Sequence, residues 1–329
     1  MTPMQPREHV CRMRDGTELR GQFWECAAPA GLVVIRTPYD ARQHAATARS
    51  WSARGYHCLI QDVRGRYRSG GDWTAYQHEE DDGGQVLTQL GREHPGLPIV
   101  LFGASYAAHA ALEAARGAAH VGSVTVAAVI VLVPALGLAE TAWDSSGTPQ
   151  IRHRIGWWHE HGRTRCAQNP LSAAELARRT AEADDAGVVD AAKNWGWTPH
   201  ALAQWRRLWQ AERIDLAARY DLGIPLLVIS GDDDFFDNDA RRLARTWTAA
   251  SHFVTGPWGH RLAGDIADPE LRSRFRAAGG LGGIIEAWLS AHDLSGTAAG
   301  WTEVLRDAPH TRSTLDPADG AWRHERTAP

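Results

Sequence analysis

Residues 98–108 read Pro98-Ile99-Val100-Leu101-Phe102-Gly103-Ala104-Ser105-Tyr106-Ala107-Ala108. The apolar run Ile99–Phe102 predicts a buried strand. It stops at Gly103, and the alanine-rich stretch reaching Ala115 predicts a helix. Ser105 stands on the turn between them in the pattern G-x-S-x-A, one methyl group from the G-x-S-x-G of a strained strand-to-helix elbow. Such a turn closes only when the residues two places either side of the serine are small. It lifts Oγ clear of the sheet edge and aims the free N–H groups of the next helix at a developing negative charge. A serine here also suits a plain helix cap, so the rest of the chain decides.

Downstream, residues 224–239 contain a second apolar run, Leu226–Ile229, entered through Pro225 and closed by Gly231. An aspartate cluster follows, and Asp234 is the expected acid of a Ser, Asp, His series; Asp232 is the alternative. A buried carboxylate there would fix an imidazole in one tautomer and stabilise its cation. Asp237 and Asp239 are expected to open the next helix, where acidic residues suit the dipole. The aspartates lack the Gly and distal Glu of a calcium-binding loop, so no metal is expected. Farther on, Gly256-Pro257-Trp258-Gly259-His260 follows a short strand candidate and supplies the expected base, His260. His109 competes by proximity, but on the elbow helix it would point down the axis rather than over the serine.

The 329 residues carry a formal net charge of −4, which gives no basic excess for nucleic-acid binding. The longest apolar run, Val124–Leu138, is broken by Pro134 and falls short of a membrane span. The first residues lack the apolar core of a signal peptide, so a cytoplasmic location is expected. Cys11, Cys26, Cys58 and Cys166 show no CxxC spacing and are expected to be reduced, buried apolar residues.

Strand candidates at Leu19–Trp24, Gly31–Arg36, His57–Asp62, Ile99–Phe102 and Val124–Val133 alternate with helical spans. That order predicts an α/β protein with a doubly wound, mostly parallel sheet and ligands at the carboxyl ends of its strands. Between Pro134 and Gly223 strands disappear and Arg, Ala and Glu dominate, which predicts a helical cap inserted over that edge. The expected division is a core over 1–134, a cap over 135–222, the rest of the core over 223–294 and a tail over 295–329. The cap holds Trp157, Trp158, Trp195, Trp197, Trp205 and Trp209. They either glue short helices to the body or line an aromatic acyl pocket; Trp157 and Trp158 best suit the second role, with His159 and His161 on the rim.

Five segments, in this order, resemble the α/β-hydrolases of the cocaine esterase and X-prolyl dipeptidyl acyl-peptidase family: Arg36-Thr37-Pro38-Tyr39-Asp40, Gln61–Gly70, Gly103-Ala104-Ser105-Tyr106, Gly231–Phe236 and Gly256–His260. The resemblance covers roughly residues 14–290 and implies the α/β-hydrolase fold with a Ser105, Asp234, His260 triad. It further implies that the Tyr39 hydroxyl and the Tyr106 backbone N–H form the oxyanion hole, with Phe235 and Trp258 joining the tryptophans at the substrate. The segment 62–70 is expected to be a hydrogen-bonded turn beneath the site. The chain departs from the family pattern at positions 67, 107 and 108, where glycine is usual, and at Asp232 and Asp233, where an aromatic pair is usual, which changes the expected shape of the acyl pocket.

The implied activity is a serine esterase or peptidase-type hydrolase that cleaves a small acyl or peptidyl ester or amide without a cofactor. Two alternatives stand beside it: an acyltransferase or cyclising enzyme using the same acyl-enzyme, and a non-catalytic binding protein on a hydrolase scaffold. Members of that family usually continue into a β-sandwich. With Pro329 the last residue, that domain is expected to be missing, which implies a more open site or a partner subunit, such as a homo-oligomer, in its place.

Overall fold

β3 (Gly31–Thr37) is buried at every position, and this explains why Leu32-Val33-Val34-Ile35 shows no polar alternation: helices cover both faces of the sheet. The computed structural model describes residues 5–122, 124–294 and 310–327. Its strands are β1 (Arg7–Arg12), β2 (Glu18–Trp24), β3, β4 (Tyr56–Asp62), β5 (Ile99–Ala104), β6 (Val126–Leu132), β7 (Leu226–Ile229), β8 (Ser251–Thr255), β9 (His310–Leu315) and β10 (Trp322–Arg326). They form one sheet in the order β1-β2-β4-β3-β5-β6-β7-β8-β9-β10. From β4 through β9 neighbouring strands run parallel, and antiparallel strands close both flanks.

Residues alternate between two core layers. Leu32, Val34, Leu101, Val129, Val131, Leu226 and Val228 pack under α2 (Glu79–Glu93), α3 (Tyr106–Val121) and α10 (Asp237–Thr246). Val33, Ile35, Val100, Ile130, Leu227 and Ile229 face α1 (Ala45–Ala53), α11 (Pro269–Ala277) and α12 (Gly280–Ala291) on the other side.

Between β6 and β7 lie α4 (Leu138–Ala142), α5 (Ile151–Trp157), a wider turn at Trp158–Gly162, α6 (Ala173–Ala186), α7 (Val188–Ala192), α8 (Pro199–Gln210) and α9 (Leu216–Arg219). Ser172 and Thr198 cap α6 and α8 by accepting from the N–H groups of Glu175 and Ala201. Trp158, Trp195, Trp197, Trp205 and Trp209 share one buried cluster with Val63, Trp73 and Tyr106 of the body. Trp205 meets Trp197 and Trp209 edge-on at 5.3 Å each. A second tie joins the helical layer to the 62–70 turn. Tyr67, with a φ of 42°, donates its N–H to the Arg165 carbonyl at 3.0 Å, and Arg165 Nη1 donates back to the Tyr67 carbonyl at 3.1 Å.

β1, β9 and β10 lack the signals by which the other strands are read. The inward residues of β9 are Thr311, Ser313 and Leu315, and Ser313 lies between His252 Nε2 (2.9 Å) and His324 Nδ1 (2.7 Å). A polar seam rather than an apolar face attaches this strand, so 310–327 reads as a tail in sequence and is sheet in the structure. Residues 295–309 of that tail lie outside the described residues. Among the described residues no helix is long and apolar enough to cross a membrane. Cys11 and Cys58 are buried, but Cys26 is only partly buried and Cys166 is exposed, contrary to the expectation that all four are core residues.

Candidate active site

Ser105 sits between β5 and α3 with φ 56° and ψ −122°, a backbone state that costs roughly 1–3 kcal/mol and must be imposed by its surroundings. Three backbone bonds impose it: Ser105 N–H to Leu132 O at 2.9 Å, Ala108 N–H to Ser105 O at 3.0 Å and Ala135 N–H to Ser105 O at 3.2 Å. Gly103 is required for the same reason, because a Cβ there would lie 2.1 Å from the Ala107 carbonyl oxygen. The two small positions of G-x-S-x-A are therefore unequal: position 103 tolerates no side chain, whereas Ala107 packs its methyl into the interior.

Asp234 lies on the turn after β7, its N–H donating to Gly231 O at 2.9 Å. Its carboxylate is fully buried, and Oδ1 stands 2.8 Å from His260 Nδ1. A carboxylate only accepts, so Nδ1 carries the proton, and Nε2 is left to accept from the Ser105 hydroxyl 3.1 Å away. The His260 ring stacks on Phe235 at 4.5 Å and meets the edge of Phe236 at 5.5 Å. The competing residues are engaged elsewhere. Asp232 accepts from Thr255 and Arg241, and His109 Nδ1 donates to the Leu136 carbonyl. Asp237 and Asp239 occupy the first turn of α10.

The loop after β3 brings Tyr39 to the same place. Tyr39 N–H donates to Thr37 Oγ1 at 3.1 Å, Arg66 Nε donates to Pro38 O at 2.9 Å, and Ala41 N–H donates to Asp62 Oδ1 at 2.7 Å. The 62–70 turn is thus the scaffold of this loop. The Tyr39 hydroxyl lies within hydrogen-bond reach of the Ser105 side chain and the Tyr106 backbone. Burial pushes its pKa up, so it keeps its proton. Trp157 Nε1 donates to the Tyr39 oxygen at 3.1 Å. The Tyr106 side chain points away, donating to Glu79 Oε1 at 2.6 Å and accepting from Tyr76 N–H at 2.7 Å.

A cavity of about 290 Å³ opens beside Ser105 and His260, lined also by Tyr39, Tyr76, His153, Arg154, Trp157, Phe235 and Phe236. Of the residues expected at the substrate, Trp157 and Phe235 line this cavity and Trp158 and Trp258 do not. Trp158 is turned into the helical layer and packs against Trp205 at 5.8 Å. Trp258 is wholly buried, donating Nε1–H to Ser230 O at 2.6 Å and packing on Phe275 at 5.4 Å. Gly231 and Gly256 make room for it, since a Cβ on either would come within 2.5 Å of it. It props up the His260 loop from below. His161 is not on the rim but behind Tyr39, edge-on at 5.0 Å, where burial pushes its pKa down to about 4. His159 pairs with Arg163.

Sequence reasoning missed Tyr76, Phe236, His153 and Arg154. For Arg154 one signal was present: it lies three residues before Trp157, on the same helix face.

The profile of the X-Pro dipeptidyl-peptidase (S15) family matches residues 15–261. Among solved structures, an aminopeptidase from a marine sediment Thaumarchaeota archaeon aligns with TM-score 0.70 and 19% identity, over 99% of this chain and 59% of that one. An α-amino acid ester hydrolase aligns with TM-score 0.64 and 16% identity, over 98% of this chain and 58% of that one. An esterase of Pyrococcus furiosus aligns with TM-score 0.53 and 15% identity, over 87% and 91%. This chain thus spans about three fifths of the length of the first two. At such identities the likeness is one of fold, and it is the α/β-hydrolase fold. A comparison with curated proteins gives no significant match. With the profile running through well over half of its residues, the chain belongs to the X-Pro dipeptidyl-peptidase (S15) family.

Proposed function

We propose that this protein is a serine hydrolase that cleaves a small ester or amide through an acyl-enzyme. The observation that carries the reading is the unbroken relay from Ser105 Oγ to His260 Nε2 at 3.1 Å and from His260 Nδ1 to Asp234 Oδ1 at 2.8 Å. His260 takes the hydroxyl proton as Ser105 Oγ bonds to the substrate carbonyl carbon, and the carbonyl π pair moves onto oxygen. The Tyr39 O–H and the Tyr106 N–H donate to that oxyanion. The tetrahedral species collapses, the bond to the leaving group breaks, and His260 Nε2–H passes its proton to the departing oxygen or nitrogen. Water then gives a proton to His260 as it attacks the acyl carbon, and Ser105 regains a proton as the acid leaves. Asp234 holds the tautomer and stabilises the imidazolium in both halves.

The test is Ser105→Ala. It should abolish turnover of p-nitrophenyl acyl esters and labelling by a fluorophosphonate while leaving the thermal midpoint in place. Retention of most activity in the variant would sink the reading.

A further inference from the structure

Arg154 is 4% exposed and lines the cavity beside Ser105. Among the described residues its guanidinium makes no hydrogen bond or ion pair, and Nε is buried without a partner. Its companions are aromatic faces, Phe236 at 5.6 Å and Trp157 at 6.0 Å. The other titratable groups bearing on it are the phenols of Tyr76 and Tyr39, which burial holds protonated, and the neighbouring His153. No lining residue of the cavity is acidic. The other deeply buried arginines do have partners: Arg64 bonds both oxygens of Asp82, Arg66 the Pro38 carbonyl, and Arg36 the Glu79 carbonyl. Arg154 is a buried cation whose anion is missing from the chain itself. A lone guanidinium presents a planar fork of donors that matches a carboxylate in two parallel bonds.

We infer that Arg154 receives a carboxylate of the substrate, so that the favoured esters or amides are monoanions carrying a free carboxylate a short way from the scissile carbonyl. This deepens the proposed activity and rests on it. A phosphate would call for further donors, and the rest of the lining is aromatic. An ammonium group would meet the cation directly and is disfavoured. The carboxylate can belong to the acyl part or to the leaving group, and two substrate pairs separate these cases.

The first pair is p-nitrophenyl hydrogen adipate against its methyl ester. The second is 4-carboxyphenyl butyrate against its methyl ester. The native protein should favour the anion by kcat/KM in one pair by roughly 10- to 100-fold, the worth of a charge-assisted bond. Arg154→Met should erase that ratio, and Arg154→Lys should keep part of it. Equal rates or preference for the neutral member in both pairs overturns the inference, as does a ratio that survives Arg154→Met. Calorimetry on Ser105→Ala protein gives a reading that needs neither turnover nor an Arg154 variant: adipate should bind and adipamide should not. Adipate binding there stands even if Ser105 proves not to be the nucleophile. Equal binding of the two refutes the carboxylate site while leaving the hydrolase reading intact.

Discussion

Trp157 donates its indole N–H to the phenolic oxygen of Tyr39 at 3.1 Å, so a residue of the helices between β6 and β7 orients a hydroxyl carried by the loop after β3. The bond occupies a lone pair of the oxygen and leaves the O–H to turn toward Ser105. Tyr39→Phe should lower kcat/KM by about 100- to 1,000-fold, the usual cost of losing an oxyanion donor, with KM little changed. Trp157→Phe should cost less. The double variant should be no worse than Tyr39→Phe alone, because the indole acts through the phenol. Additive losses in a double-mutant cycle would show that the two act independently.

Asp234→Asn keeps the shape of a fully buried side chain but offers His260 an amide in place of a carboxylate. We expect kcat to fall by about four orders of magnitude, with thermal unfolding shifted by only a few degrees. A loss smaller than tenfold would remove Asp234 from the relay.

Gly103→Ala and Ala107→Gly probe the unequal halves of the elbow. A methyl group at 103 would lie 2.1 Å from the Ala107 carbonyl oxygen, so the first variant should lose about 3 kcal/mol or more and most of its activity. The second exposes no clash and should lose about 1 kcal/mol, as a glycine in a helix does. Urea unfolding of both proteins decides, and equal losses would contradict the geometry.

Trp158→Ala and Trp258→Ala should act on stability, by about 3–5 kcal/mol each, because both indoles lie in packed interior. Trp157→Ala should instead change the order of preference among acyl esters of different size. A flat loss across such a panel would deny Trp157 a part in selection.

Acid should destabilise the protein well above the carboxylate range. Burial pushes the pKa of His252 down to about 3, with His324 and His292 adding to it, and that of His161 down to about 4. Both are neutral in the folded chain, while the unfolded chain takes up their protons below pH 6.5. Their contribution is therefore complete above pH 6.5 and declines as pH falls from there toward 4. Each ring adds a slope approaching 1.4 kcal/mol per pH unit. Other histidines, His44 and His153 among them, are shifted the same way. Unfolding free energies at pH 7.5, 6 and 5 check this. His252→Gln should flatten the slope by about one proton, and an unchanged slope would exclude His252 as a source.

The Ser, Asp, His series that can be read from sequence shares one property: each member sits on a tight turn directly after an apolar strand, where glycine or proline marks the exit. Ser105, Asp234 and His260 all have that signature. Trp258 shares the motif with His260 but not its direction, and only the space left by Gly231 and Gly256 shows that the indole goes inward. Arg154 was hidden for the opposite reason. Within Arg152-His153-Arg154 only the three-residue spacing to Trp157 sets the buried cation apart from the solvated one, and its burial shows only when α5 is laid over the cavity. β9 escaped because a strand held by Ser313 and two imidazoles carries no hydrophobic alternation.

Ser105, Asp234 and His260 follow the ends of the parallel strands β5, β7 and β8, whereas Trp157 and Arg154 share the seven residues of α5. The proposed proton relay and the proposed substrate contacts are thus written in separate stretches of the gene, joined by the bond from Trp157 to Tyr39. On the proposed reading, varying 151–156 while keeping Trp157 would alter the walls of the cavity without touching one bond of the proton relay or the indole that orients Tyr39.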